Sequence, residues 1–184
     1  YLYWDSKHAA TTIREGLEYI ADDQRRSLVK HYLSSFEEIA PRLEPLPKGI
    51  IHNDGNDYNI LVRDGVMAGI LDFGDMVSSA LVFEVANTAA YCILDKNDPL
   101  EIASHVVAGY YEARPLSAAE LELVFPLICT RLAMSVANAA RQARDEPDKN
   151  YLRVSERAAW TMLEKLKSIC PRLAHYRFRN ACGL

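Results

Sequence analysis

A chain of 184 residues, 49% hydrophobic and 25% charged, can bury a core of its own and is too apolar for a disordered segment. Its formal net charge of −4 offers no basic surface to nucleic acid or an anionic membrane, and no uninterrupted apolar run reaches the 18 residues of a membrane span. No signal peptide is visible, and Cys92, Cys129, Cys170 and Cys182 lack metal-ligand spacing, so buried free thiols in a reducing, cytoplasmic setting are expected. The chain starts at Tyr1 without Met and stops at Cys-Gly-Leu184, so both ends are expected to be cuts.

Residues 5–20 read as a helix with Ala9, Ala10, Ile13, Leu17 and Ile20 on one stripe and Asp5 or Ser6 as cap. Asp22-Asp23 opens a second helix with Leu28, Val29, Tyr32, Leu33, Phe36, Ile39 and Ala40 inward, expected to break near Pro41, Pro45 and Pro47. A strand-loop-strand module fills residues 48–75. Beyond it, helices are expected from Ser79 to Leu94 and from Asp98-Pro99 to about Tyr111. Ser117-x-x-Glu120 is a capping box for a long apolar helix to about Arg144. Residues 145–150 form a loop, and Tyr151–Ile169 and Pro171–Cys182 close the chain as two helices. The whole reads as a single unit over residues 1–184, helical in 1–47 and 76–184.

Within the module, Ile50-Ile51 enters a polar loop, Ile60-Leu61-Val62 leaves it, Arg63-Asp64-Gly65 turns, and Val66 to Leu71 returns. An Asp-Gly turn between β-rich runs is a hairpin signal. With a three-residue turn, Val62 faces Val66 and Asn59 faces Gly69. Asp72 then lies one step beyond the end at which Asn59 enters, beside the loop that carries Asp54. Oxygen ligands gathered in this way suit a hard cation such as Mg2+, which usually binds together with substrate phosphates. From Lys48 to Glu84 six acids (Asp54, Asp57, Asp64, Asp72, Asp75, Glu84) face two bases (Lys48, Arg63), an acidic mouth for Mg2+ and an amine-bearing substrate. At least half of the six are equally read as turn-making or solvated carboxylates.

His52-x-Asp54-x-x-x-x-Asn59 followed by Asp72-Phe73-Gly74 resembles the catalytic pattern of the kinase fold. The His-Asn-Asp form and the Asp75 after the glycine resemble the small-molecule branch, which holds aminoglycoside phosphotransferases, choline kinases and hydroxylysine kinases. The words IHNDGNDYNILV, GILDFGDMV, VFEVANTAAY, FPLICTRLAMSVANAARQA and LAHYRFRNACGL are most similar to hydroxylysine kinase-like phosphotransferase domains, some of which are fused to class-III aminotransferases. The resemblance implies a mainly α (α+β) fold, the C-terminal lobe of the aminoglycoside phosphotransferase type. No Gly-rich phosphate loop and no strand-borne Lys precede the motif, so the N-terminal sheet lobe is expected to lie outside these residues.

By that resemblance Asp54 is the catalytic carboxylate that orients the attacking hydroxyl and accepts its proton, and Asn59 and Asp72 hold Mg2+. His52 props the loop by hydrogen bonding. Glu84 braces it, or is a plain helix carboxylate. Phe73 packs under the metal site. Asp75 supports the metal ligands or reaches the substrate amine, and Asp57 is either solvated or a further substrate contact. Arg131, in the apolar run Phe125 to Val136, needs a partner because an unpaired buried charge is costly. It pairs with Glu84 or another acid, or clamps a substrate carboxylate. Trp160 and Tyr151 read as helical core, with a pocket lining as the alternative.

The implied activity is transfer of the γ-phosphate of ATP or GTP to a hydroxyl of a small amine-bearing molecule. Hydroxylysine or a related amino alcohol comes first; aminoglycoside, choline and homoserine kinases are the rivals in that class. The reading from another class is a non-catalytic docking or regulatory module of a larger polypeptide. The expected partners are the nucleotide, the small-molecule substrate, the missing lobe and a fused aminotransferase domain.

Overall fold

Ala9, Ile13 and Gly16 recur at helical spacing and make the buried stripe of α1 (Ala9–Leu17). The computed structural model, which describes residues 2–145 and 156–184, places a short 3-10 turn (Ser6–His8) before it, so the helix expected from residue 5 starts later. Asp5 caps that turn, its carboxylate accepting from Lys7 N–H at 3.1 Å. Asp22 likewise caps α2 (Asp23–Leu43) through Arg25 N–H at 2.8 Å. α2 ends at Leu43, between Pro41 and Pro45, in the region where the break was expected; Pro41 itself is still helical and exposed in the last turn.

The strands form two separate antiparallel ribbons. β1 (Lys48–Ile51) pairs with β4 (Val77–Ala80), and β2 (Ile60–Arg63) pairs with β3 (Val66–Ile70). The expected hairpin register is displaced. Asp64 (φ 52°) and Gly65 (φ 76°) are both left-handed and make a two-residue turn, so Val62 pairs with Met67 rather than Val66. Leu61 takes Gly69, and Asn59 instead accepts from Leu71 N–H at 2.8 Å. Ser79, expected to open a helix, lies in β4, where its buried hydroxyl donates to Asp5 at 3.3 Å. α3 (Val82–Cys92) begins only after that strand.

α4 (Pro99–Ala113) starts where Asp98-Pro99 placed it, with Asp98 accepting from Glu101 N–H at 3.0 Å. The capping box before α5 (Ala118–Asp145) is reciprocal: Ser117 Oγ accepts from Glu120 N–H (3.2 Å), and Glu120 accepts from Ser117 N–H (2.8 Å). α6 (Glu156–Lys167) and α7 (Pro171–Ala181) complete the chain. The expected loop at 146–150, and Tyr151 with it, lie outside the described residues. Trp160 is core, 4% exposed. Cys170 is exposed rather than buried, at the start of α7.

α5 is the axis of the core and packs against α1, α2, α3, α6 and α7. Among the described residues it is the one helix long and apolar enough to cross a membrane, and 78% of that stretch is buried inside the protein. A mainly α lobe results, as the resemblance implied, with a second ribbon, β1–β4, beside the one hairpin expected. α1 meets α5 closely at Gly16, where a Cβ would lie 2.4 Å from the Ala137 carbonyl oxygen. Gly16→Val is therefore expected to destabilise the fold by about 2–3 kcal/mol, near the upper end for overpacking. An unchanged urea midpoint would contradict the close approach of α1 to α5.

Candidate active site

The loop between β1 and β2 is held from beneath by α3 and by the segment before α1. Glu84, in the first turn of α3, accepts from the N–H of His52 and from that of Asn53 at 3.3 Å. Asn53 is fully buried in the left-handed region (φ 70°), which a short polar side chain tolerates. Its amide nitrogen donates to Trp4 O (3.4 Å) and Asp75 O (3.3 Å), and its amide oxygen accepts from Asn87 (2.8 Å). Asn87 in turn accepts from Ser6 Oγ at 3.1 Å. Gly55 presses on the same helix so closely that a Cβ would stand 2.4 Å from Thr88 Oγ1.

This frame points Asp54 outward, with its side chain 20% exposed. Oδ2 accepts from Asn56 Nδ2 at 2.9 Å and from Asn59 Nδ2 at 2.8 Å. Asn59 also donates to the Asp54 backbone carbonyl (3.0 Å), and among the described residues its amide oxygen has no protein donor. On the other side of the carboxylate, Arg131 Nη2 lies 3.7 Å from Oδ1. Arg131 donates from Nη2 to the Tyr91 hydroxyl (2.7 Å) and from Nη1 to Trp4 O (3.0 Å). Its guanidinium carbon lies 5.3 Å from the Tyr91 ring centre, and its buried Nε has no partner among the described residues. Burial pushes the Tyr91 phenol up; Asp54 adds to this through its charge and a hydrogen bond, and Arg131 opposes it.

His52 ties the hairpin to this loop. Its Nε2–H donates to Leu71 O at 2.8 Å, while Leu71 N–H reaches Asn59 O at 2.8 Å, so Asp72 follows directly after a residue fastened to both. Asp72 is exposed and left-handed (φ 57°), with Oδ1 accepting from Gly74 N–H at 3.1 Å. Asp75 is half-buried. Burial raises its carboxyl first, and the charges of Asp54 and then Asp72 add to this while Arg131 and His52 oppose it. Asp54, Asp72 and Asp75 thus share one acidic field. Among the described residues no three His, Cys, Asp or Glu side chains form a metal-binding group by themselves.

Of the acids expected beside Arg131 the neighbour is not Glu84, whose carboxylate is occupied by the loop's backbone N–H groups, but another, Asp54. One expectation is corrected. Phe73 does not pack under a metal site: it is 57% exposed, its ring edge-on to His52 with centres 5.3 Å apart. Asp57 is exposed on the 3-10 turn Asp57–Asn59, and its charge adds to the burial that pushes the Cys92 thiol up. The sequence reading missed Trp4, Asn53, Asn56, Tyr91 and Asn87. Of these only Asn53 and Asn56 carried a signal, as turn-forming residues inside the motif.

The model of the APH phosphotransferase enzyme family matches residues 4–120. The chain belongs to that family. The match takes in Asp54, Asn59, Asp72 and Tyr91 and stops short of Arg131. Relatives of the chain include the hydroxylysine kinase of Mus musculus, 34% identical over 80% of this chain and 42% of the relative. The hydroxylysine kinase of Bos taurus is 30% identical over 89% of this chain and 46% of its own length. A homoserine kinase of Phenylobacterium zucineum is 32% identical over 56% of the chain and 34% of the relative. The chain thus spans a little under half the length of the hydroxylysine kinases it matches.

Proposed function

We propose that the polypeptide carrying this chain is a kinase that moves the γ-phosphate of ATP or GTP to the hydroxyl of a small amine-bearing substrate, hydroxylysine or a related amino alcohol. One observation carries the reading: the Asp54 carboxylate, fixed by two amides at 2.8 and 2.9 Å yet 20% exposed, in a chain related to hydroxylysine kinases. In the proposed reaction the substrate O–H bond breaks, its proton passes to Asp54, and the oxygen attacks the γ-phosphorus while the nucleoside diphosphate leaves. Asn59, with its free amide oxygen, and Asp72 fit the oxygen ligands that Mg2+ takes, the phosphates supplying others. The ion, when bound, neutralises charge on the phosphate oxygens. Glu84 and His52 keep the loop in register with the hairpin. Asp75, and Asp57 at the rim, give an ammonium group a negative mouth to enter.

The exposed apolar side chains Leu61, Val62, Val66 and Met67 on the hairpin suit the docking of a further lobe that would cover the nucleotide. Four free thiols are compatible with cytoplasmic location. Homoserine is the rival acceptor, since homoserine kinases are also relatives and both molecules are hydroxylated amino acids. The test is a steady-state assay of the full polypeptide with Mg-ATP and Mg-GTP against hydroxylysine, homoserine, choline and an aminoglycoside. Hydroxylysine is expected to lead in kcat/KM by about tenfold or more, within the discrimination one pocket achieves. Turnover on none of the four would overturn the kinase reading and favour a docking module. A lead for choline or the aminoglycoside would overturn the acceptor.

A further inference from the structure

Resting on the kinase reading above, the geometry points to Asn53 as a positioning residue that fixes the turn carrying Asp72 relative to the Asp54 carboxylate. His52 and Asn53, the two residues just before Asp54, both reach across to that turn and take hold of its two ends. His52 Nε2–H donates to Leu71 O at 2.8 Å, one residue before Asp72. Asn53 Nδ2 donates to Asp75 O at 3.3 Å, three residues after it. A single tie leaves a segment free to pivot about it. Two ties, one on each side, fix its orientation.

Asn53 is the tie that refers the turn to the body of the protein. It is fully buried, and its amide oxygen accepts from Asn87 of α3 at 2.8 Å. Its NH2 serves Trp4 O, ahead of α1, at 3.4 Å as well as Asp75 O. The orientation of the amide is forced: both carbonyls can only accept, so the nitrogen faces them and the oxygen meets the NH2 of Asn87. Asp72 lies where the chain passes from one ribbon to the other, and the β1–β4 ladder stops at Ile51 and Val77. Asn53, left-handed at φ 70°, turns out of that ladder. Its side chain then makes the next link, to Asp75, that the backbone no longer makes.

The plainer account is that position 53 only needs a residue that tolerates a left-handed backbone. Glycine meets that need at least as well, and it would leave Asp75 O, Trp4 O and the Asn87 amide without this partner. The amide therefore does something that the backbone conformation does not ask for. Because Asp54 follows Asn53 directly and Asp72 sits between the two tied residues, this one side chain sets the separation of the proton acceptor from the metal ligand. Phosphoryl transfer depends on such positioning, and a misplacement of about 1 Å can cost about 10²-fold.

The experiment is steady-state kinetics of the full polypeptide with its best acceptor, well below the melting temperature, with Mg2+ titrated at fixed nucleotide. Asn53→Gly keeps the left-handed backbone and deletes the amide. It is expected to lower kcat by about 10- to 100-fold and to raise the Mg2+ half-saturation by about three- to tenfold, with the acceptor KM within about twofold. In the Asp72→Asn background the Mg2+ shift should shrink below about twofold, because it runs through Asp72. Asn53→Asp serves as the second variant if the glycine form does not fold. It keeps the size of the side chain and the oxygen facing Asn87, but a carboxyl group holds at most one proton and leaves at least one of the two carbonyls unserved. The same pair of changes is expected. Ser117→Ala, which removes the cap of α5, controls for lost stability and should leave kcat within about twofold. Three results would each overturn the inference and leave the kinase reading standing: wild-type kcat and Mg2+ half-saturation in a folded Asn53 variant, a Mg2+ shift that persists in full beside Asp72→Asn, or an equal kcat loss in Ser117→Ala. Intact turnover in Asp54→Asn would overturn the kinase reading, and the inference with it.

Discussion

Asp54→Asn is expected to lower turnover of the full polypeptide by about 10²–10⁴-fold while leaving the fold intact, the range lost with a general base. The asparagine keeps the shape of the side chain. Its amide oxygen still accepts from Asn56 and Asn59, at the places where Oδ2 does so at 2.9 and 2.8 Å, and its NH2 takes the place of Oδ1, 3.7 Å from Arg131 Nη2. The loop is otherwise held by Glu84, Asn87 and Trp4, none of which touches the changed atoms. What disappears is the proton acceptor. The measurement is steady-state kcat alongside thermal unfolding. A kcat within a few-fold of wild type, at an unchanged melting temperature, would remove Asp54 from the chemistry.

Asp72→Asn should cost nearly as much, about 10²–10³-fold in turnover, with a raised Mg2+ requirement. Here too the substitution separates charge from shape. Position 72 is left-handed at φ 57°, a conformation that asparagine adopts readily, and an amide oxygen can still accept from Gly74 N–H as Asp72 Oδ1 does at 3.1 Å. The turn at Phe73–Asp75 survives and one negative charge is lost from the field shared with Asp54 and Asp75. Titrating Mg2+ at fixed nucleotide reads the effect. An unchanged Mg2+ half-saturation with unchanged turnover would show that Asp72 is only the cap of its turn.

The candidate site was legible as a stretch because it is local: His52, Asp54, Asn59 and Asp72 sit in one strand-loop-hairpin segment, and the helices followed from the 3.6-residue period and their caps. What failed was set by geometry that residue types express weakly. An aspartate accepting a left-handed conformation at position 64 shortened the turn and displaced the register. β4 is four residues long and finds its partner across the whole intervening loop and hairpin, so Ser79 read more easily as a helix start. The partners of Arg131 were out of reach altogether: one is the carbonyl of Trp4, 127 residues away, and another a single aromatic in a helix that otherwise reads as core.

The separation of the two ribbons has a mechanical side. Asp54 hangs from β1, which is tied through β4 and Asp5 to the body of the protein. Asn59 enters β2 and Asp72 leaves β3, so both ride at the base of the other ribbon, with Asp64-Gly65 at its far tip. From residue 61 to residue 68 that ribbon is exposed. Asn59 and Asp72 are therefore anchored at the base of an exposed ribbon and Asp54 on the body of the protein, the two being joined at the Leu71 backbone, where His52 and Asn59 fasten it.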